Sequence, residues 1–367
     1  MAFAGGLFEV ERNGQTHPAI ANVGKSSYLF VLNRETGEPI IPVEERPVPQ
    51  GNVPGEWYSP TQPFPVAPPP LSRVSFNPDT DIVTAEDTSA AHRAACIKFM
   101  EDSGGFFNDG PFTPFLYKAP NAEPRSTIQF PGGTGGVNWG GPAVDPTTGI
   151  VYANSQETSL VGWVEDKDPD VTYSFEAAGS TQTHDRASIN GKGPFFSFTA
   201  PLSGEYDENG RGIGPSLPCQ RPPWGRLNAV DANTGEVLWQ VPLGLNENLP
   251  EGKQLVGNSG SAGPSVTAGG LVFVGATNDR RFRAFDAATD EELGRAHDPG
   301  YVARVVEGRL DALETRPEAE ETLIVFTADH GDGDHHAGGE IPGLQARFPE
   351  RIEPAGRDVA QVERGGA

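Results

Sequence analysis

A single turn motif, written four times, constrains this chain more than any other feature. The segments YLFVLNRETG (28–37), PAVDPTTGIVY (142–152), LNAVDANTGEVLW (227–239) and FRAFDAATD (282–290) share one plan. Alternating apolar residues lead into Asp or Asn, then two residues, then Thr and Gly. The alternation predicts a half-buried strand. Asp-x-x-Thr-Gly predicts a tight turn, because the carboxylate caps backbone N–H groups and Gly accepts φ > 0. Antiparallel strands joined this way predict propeller blades; unrelated hairpins of a β-sandwich would carry the same local pattern. The last copy departs from the plan, with Asp290 at the turn Gly.

Composition agrees with a chain full of turns. The 367 residues include 46 Gly and 35 Pro, which argues against a helical bundle or coiled coil. No apolar run nears the roughly 18 residues of a membrane-spanning helix. The formal net charge of -23 repels phosphates, so no nucleic-acid partner is expected. The same acidity suits either a generic surface or the solvated coat of a salt-tolerant protein. Two cysteines, Cys96 and Cys219, allow one bridge at most. Met1 is followed by Ala-Phe-Ala-Gly-Gly, with neither a basic nor an apolar leader, so no secretory signal is expected in this chain: it is either cytoplasmic or lacks its N-terminus.

Long stretches separate the copies, roughly 42–126 and 155–222, rich in Pro and Gly and read as functional loop insertions. Within the first, residues 85–100 (AEDTSAAHRAACIKFM) have helical composition and put Cys96 on an ordered element. After Leu293 the character changes. Residues 301–314 have apolar positions at helical spacing, and 322–327 (TLIVFT) read as a buried strand leading into Ala-Asp-His-Gly. Helix followed by buried strand is an α/β pattern foreign to a propeller. The expected domains are therefore 1–293, a partial propeller; 294–342, a helix-strand segment; and 343–367, a disordered tail.

Four stretches together carry a family resemblance. IANVGKSSYLFVLNRETGEPIIPVEERPVPQGNVPGE with SPTQPFP (20–65), PGGTGGVNWGGPAVDPTTGIVYAN (131–154), LPCQRPPWGRLNAVDANTGEVLWQVPLG (217–244) and GPSVTAGGLVFVGATNDRRFRAFDAATDEEL (263–293) stand in order. They resemble the membrane-bound quinoprotein glucose dehydrogenases, which use pyrroloquinoline quinone (PQQ), over about residues 7–293. The resemblance implies an all-β fold: a partial, open quinoprotein-type β-propeller with long loop insertions, here followed by a short α/β-like C-terminal remnant. It implies PQQ and a Ca or Mg ion near the propeller axis, oxidation of a sugar or polyol, electron transfer to ubiquinone or another membrane acceptor, and a periplasmic location on the outer face of the inner membrane.

The same resemblance assigns residues. Lys25, ahead of the FVL strand, matches a lysine that contacts the quinone, where an ammonium polarises a carbonyl and stabilises the reduced anion. Spacing alone would make it a solvent-facing loop lysine. Asn154 matches an Asn near PQQ, where its amide would bond a carboxylate or quinone oxygen; otherwise it is a strand-end turn Asn. Asn138 and Trp139 lie on a Gly-rich turn facing the cofactor chamber, the glycines letting backbone approach a flat ring and Trp139 offering a stacking face. A buried core Trp is the other reading of Trp139. Trp224 and Trp239 read as blade-docking core residues. Cys96 and Cys219 match family cysteines and are expected to pair, as befits a periplasmic protein.

Departures from the family weigh equally. Its general-base Asp lies upstream of the Lys25 strand, in a stretch this sequence does not contain, and no closing blade follows Leu293. About half a propeller is expected, with Gly294 where a docking Trp would stand. VVEGRLDALETRPEAEETLIVFTADHGD (305–332) instead resembles sulfatases and alkaline-phosphatase-like hydrolases, in which an Asp-His pair, here Asp329 and His330, binds a divalent cation. Asp332, Asp334, His335 and His336 extend that cluster, which also reads as a solvated acidic loop. Three functions follow: a truncated PQQ-dependent dehydrogenase without its catalytic Asp, a non-catalytic propeller scaffold, or a sulfatase-like hydrolase.

Overall fold

A computed structural model describes residues 6–167, 183–193, 196–275 and 277–296. The proposed helix at 301–314, the strand at 322–327, and Asp329, His330 and their neighbours lie outside the described residues.

The chain opens with β1 (Gly6–Arg12), β2 (Gln15–Val23) and β3 (Leu29–Asn33), an antiparallel sheet in that order. A hairpin follows, β4 (Val43–Pro47) with β5 (Thr61–Pro65). Next come α1 (Pro78–Asp81), α2 (Ala90–Asp102), β6 (Phe106–Phe107) and β7 (Ser126–Gln129). β8 (Ala143–Asp145) and β9 (Ile150–Gln156) form the hairpin of the second repeat copy. Then come β10 (Leu160–Asp166), β11 (His184–Ser188), β12 (Gly191–Lys192), β13 (Thr199–Pro201) and β14 (Ser216–Pro218). β15 (Gly225–Asp231) and β16 (Glu236–Pro242) make the third copy. β17 (Ser265–Val266), β18 (Leu271–Val274), β19 (Phe282–Asp286) and β20 (Glu292–Ala296) complete the described strands.

All four repeat turns use the expected chemistry. Asn33 Oδ1 accepts from Glu35 and Thr36 N–H, Asp145 Oδ1 from Thr147, Asp231 Oδ1 from Asn233, and Asp286 Oδ1 from Ala288 and Thr289. The Gly that closes the first three turns has φ between 74° and 86°, and Asp290 adopts φ 63° in the fourth.

The four copies nevertheless build three sheets. Copies two and three are the two hairpins of one antiparallel sheet of order β16-β15-β9-β8, joined where Leu227 registers with Asn154. Its residues alternate between two cores. Val151, Ala153, Val230 and Ala232 pack against Phe8, Val10, Ala19, Ala21, Leu29 and Val31 of the first sheet. Tyr152, Leu227 and Ala229 face the other way, onto Val272, Val274 and Phe285 of the sheet β17-β18-β19-β20. The period-2 pattern thus stacks three blades in series, face against face. No sheet among the described residues closes on itself.

The long stretches between copies are structured, unlike the irregular insertions expected from their Pro and Gly content. Together they supply a five-stranded sheet, β12-β11-β10-β7-β6, in which β6 and β7 run parallel. They share one core of Phe76, Phe99, Ile128, Phe130, Val161, Phe198 and Trp224. Aromatic edges against faces fix it, with the Phe106 and Phe198 rings 4.8 Å apart at 85°. The expected helix at 85–100 is α2, which starts five residues later because Ser89 caps it, its hydroxyl accepting from His92 N–H. Cys96 on α2 is bonded to Cys219, with Cα atoms 5.5 Å apart, so the disulfide ties the first insertion to the second.

Candidate cofactor-facing site

Lys25 sits on the turn between β2 and β3, closed by Ser27 N–H to Gly24 O at 2.9 Å. The turn rests on the Gly-rich loop 131–136. Gly136 N–H donates to Lys25 O at 2.9 Å, and Lys25 Nζ donates to Gly133 O at 3.0 Å. The loop leaves no room for a side chain: a β-carbon on Gly136 would fall 1.6 Å from Ser27 Oγ. These glycines therefore bring the loop onto the lysine turn, where the sequence reading had them approach a ring.

The lysine opens onto a cavity of about 390 Å³ walled by Tyr28, Phe112 and Phe130, with Gln62, Asn108 and Gln129 on its rim. Tyr28 and Phe112 stack at 6.0 Å, and Phe64 meets both edge-on. Phe112 holds φ 61°, an uncommon conformation for a bulky residue and one that marks constrained sites. Burial pushes the Tyr28 hydroxyl pKa up against the opposing charge of Arg46, keeping it protonated at neutral pH.

The other proposed residues do not line this cavity. Asn154, and Gly140 next to Trp139, meet a second loop, 260–263. Asn154, 4% exposed on β9, donates Nδ2 to Gly260 O at 3.0 Å and Ala262 O at 3.2 Å. A flipped amide would oppose its oxygen to those two carbonyls, so the orientation is fixed. Asn154 Oδ1 is then buried without a partner. In this arrangement Asn154 presents an acceptor, which can meet a cation or an N–H group. Gly140 packs on the same loop, a β-carbon there falling 2.0 Å from Gly263 N. Asn138 spends its Oδ1 on Trp139 N–H at 2.8 Å, capping its own turn. Trp139 is 45% exposed, which removes the core reading and leaves its ring face available. One strand links the two groups, since Gln156 N–H at the end of β9 donates to Gly136 O at 2.8 Å.

Trp224 and Trp239 are packing residues. Trp224 is 2% exposed and gives its indole N–H to Gln220 O. Trp239 lies against Tyr152 and donates to Ala287 O of the next blade at 3.1 Å.

Sequence reasoning missed Glu157. Its side chain is 1% exposed, and its oxygens accept from Arg73 N, Arg73 Nε and Arg226 Nη1. Arg73 also reaches Asp81 at 2.9 Å. With its lone pairs committed to two guanidinium groups, Glu157 is an anchor and not a free base. Nothing in the tripeptide Gln-Glu-Thr signals this, because both arginines come from distant segments.

The family model for PQQ-dependent glucose/ethanol/alcohol dehydrogenases, β-propeller domain, matches residues 1–303. The chain belongs to this family. It is 32% identical over 298 residues to the quinate/shikimate dehydrogenase (quinone) of Acinetobacter baylyi, covering 78% of this chain and 34% of that protein. To the glycerol dehydrogenase large subunit of Gluconobacter thailandicus it is 34% identical over 309 residues, covering 78% and 38%. To quinoprotein glucose dehydrogenase A of Acinetobacter calcoaceticus it is 30% identical over 328 residues, covering 87% and 37%. The chain thus spans about a third of the length of these relatives. Glucose is not singled out among their substrates, and the sulfatase-like reading of 295–340 finds no support in the comparisons.

The residues present fit the family's cofactor. PQQ is a flat, anionic quinone, and Lys25 offers a cation beside aromatic walls in a cavity of small-molecule size. Asn154 Oδ1 offers one hard oxygen of the six to eight a Ca ion takes.

Proposed function

We propose that this chain forms the cofactor-facing part of a PQQ-dependent dehydrogenase that oxidises a sugar or polyol, with residues 1–293 as the dehydrogenase segment. The observation that carries the reading is the Lys25 ammonium, held to Gly133 O at the edge of an aromatic cavity. With one N–H on that carbonyl, Lys25 keeps two for an oxygen of the quinone. With the cofactor seated against Tyr28, Phe112 and Phe130, less water would reach the ammonium, which would strengthen its field. PQQ, when bound, would accept the hydride, and with it both electrons, from the substrate carbinol carbon, while the hydroxyl proton goes to a base. Asn154 Oδ1 is assigned to the accompanying Ca or Mg ion, and Trp139, outside the Lys25 cavity, to an exposed stacking face. The general base is assigned to a part of the dehydrogenase outside these residues. Electrons are assigned to ubiquinone or another membrane acceptor on the periplasmic side, by likeness to the family; the buried Cys96–Cys219 bond suits that oxidising compartment.

Titration of the purified chain with PQQ and Ca²⁺, followed by quenching of tryptophan fluorescence, tests the reading. One saturable site is expected, weakened about 10- to 100-fold in Lys25→Ala, the size of a lost charge-assisted hydrogen bond. Absence of saturable binding overturns it and leaves the scaffold function.

A further inference from the structure

The disulfide has an unused neighbour. His92 stands one helical turn before Cys96 on α2 and is fully buried, as are both cysteines. Its Nε2 lies 3.5 Å from Cys96 Sγ and 3.3 Å from Leu217 O, while Nδ1 lies 2.9 Å from Thr88 Oγ1. The His92, Cys96 and Cys219 ligand atoms are all within 4.8 Å of one another, the one group of three or more His, Cys, Asp or Glu so placed among the described residues.

We propose that reduction of this disulfide unmasks a binding site for a thiophilic divalent cation of the Zn²⁺ class, with His92, Cys96 and Cys219 as its protein ligands. Zinc bonds of about 2.3 Å to sulfur and 2.0–2.1 Å to nitrogen, at a tetrahedral angle, put those donors about 3.6 Å apart. His92 Nε2 and Cys96 Sγ already stand 3.5 Å apart. Only Cys219 must move, by parting from Cys96 once the bond between them is gone. The second ring nitrogen has the partner a metal-bound imidazole requires: with its proton on Nδ1, His92 donates to Thr88 Oγ1 and turns the Nε2 lone pair to the metal. Leu217 O supplies an oxygen beside the fourth position.

The chemistry balances with a phosphine as reductant. The phosphine takes the oxygen of one water to become its oxide, and the disulfide takes two electrons and two protons to become two thiols. Binding of the cation then expels those two protons to solvent. Metal and disulfide exclude each other, and each staples α2 to the strand end at residue 219. A chain that meets the cation before it is oxidised would hold its two insertions together without the covalent bond.

Co²⁺ is the probe. The full chain, reduced with a phosphine under anaerobic conditions, is titrated with Co²⁺, and fold is followed by near-ultraviolet circular dichroism. One equivalent is expected to give a thiolate-to-cobalt charge-transfer band with visible bands of tetrahedral intensity, absent from the oxidised chain and abolished in urea. His92→Gln is expected to weaken binding at least tenfold. Thr88→Ala, which leaves every ligand in place, is expected to weaken it about 10- to 100-fold. A reduced chain that shows no charge-transfer band, whether its fold persists or is lost, overturns the proposal. So does a band whose Co²⁺ dependence is the same in His92→Gln as in the wild type.

Discussion

The stem of Lys25 lies across the α-carbon of Gly135: a β-carbon added there would stand 2.5 Å from both Lys25 Cβ and Cγ. Gly135 also holds φ 87°, and its loop carries the carbonyl that receives the lysine amine. Loop and ammonium are therefore positioned as one unit. Gly135→Ala is expected to cost about 1–3 kcal/mol in urea unfolding and to weaken PQQ binding as Lys25→Ala does. Gly37→Ala is the control. It has a comparable φ of 79° but nothing within 4 Å of the added carbon, so it should cost only about 1 kcal/mol and leave PQQ binding unchanged. Equal PQQ titrations for Gly135→Ala and the wild type would contradict this coupling.

Blade stacking makes a second prediction. Trp239 Nε1 reaches Ala287 O across the seam between two sheets, and Tyr152 OH reaches the same carbonyl at 3.2 Å. Trp239→Phe keeps most of the apolar contact and should cost about 1 kcal/mol for the lost bond. Trp239→Ala empties the seam and should cost about 3 kcal/mol or more. Protection of β18 amides in hydrogen exchange should fall in step. Loss of stability without loss of that protection would place the effect elsewhere than the seam.

Much of the fold was legible because it is local. Asp-x-x-Thr-Gly fixes its turn through bonds two or three residues long, so all four copies fold as read. Pairing of the copies is not local. β9 and β15 join across some seventy residues, so nothing in either hairpin says that two copies make one blade. The insertions looked irregular for a related reason: α2, β7 and β10 are weakly patterned alone, and their apolar residues make one core with Phe198, Leu217 and Cys219 from the second stretch. At the site, Lys25 was singled out only by the resemblance of Gly-Lys-Ser before a strand to the family, since spacing alone reads it as a solvent-facing loop lysine. The free oxygen of Asn154 was not legible, because its donors are fixed by carbonyls 106 and 108 residues away.

The Cys96–Cys219 bond closes a loop with a sequence separation of 123. On the chain-entropy account a loop of that length contributes about 5 kcal/mol by restricting the unfolded state. The double variant Cys96→Ser with Cys219→Ser should lose most of that in urea unfolding, less whatever structure the unfolded chain retains. Its refolded state should keep the stacked blades, whose cores do not include either cysteine. Loss of all tertiary signal in the double variant would show that the blades depend on the insertions.

The last prediction concerns acid. Asp279 is buried in the loop before β19, and burial alone would raise its pKa. Bonds from Arg283, from Thr277 and from Leu245 N–H overrule that and hold the carboxyl down to about 2, against an ordinary 3.8. The folded pKa lies below the unfolded one, so the stabilisation is fully present above the unfolded value and is lost as pH falls toward 2. A shift of this size corresponds to about 2 kcal/mol. Asp279→Asn should therefore be less stable than the wild type at pH 6, and the gap should narrow by about 2 kcal/mol between pH 5 and pH 2. Comparing the two proteins at each pH cancels the titration of the other carboxylates. Urea midpoints that differ by the same free energy at pH 6 and at pH 2 would show that Asp279 is not held by charge, and that Arg283, 1% exposed, has its counter-ion in Glu292 at 3.6 Å instead.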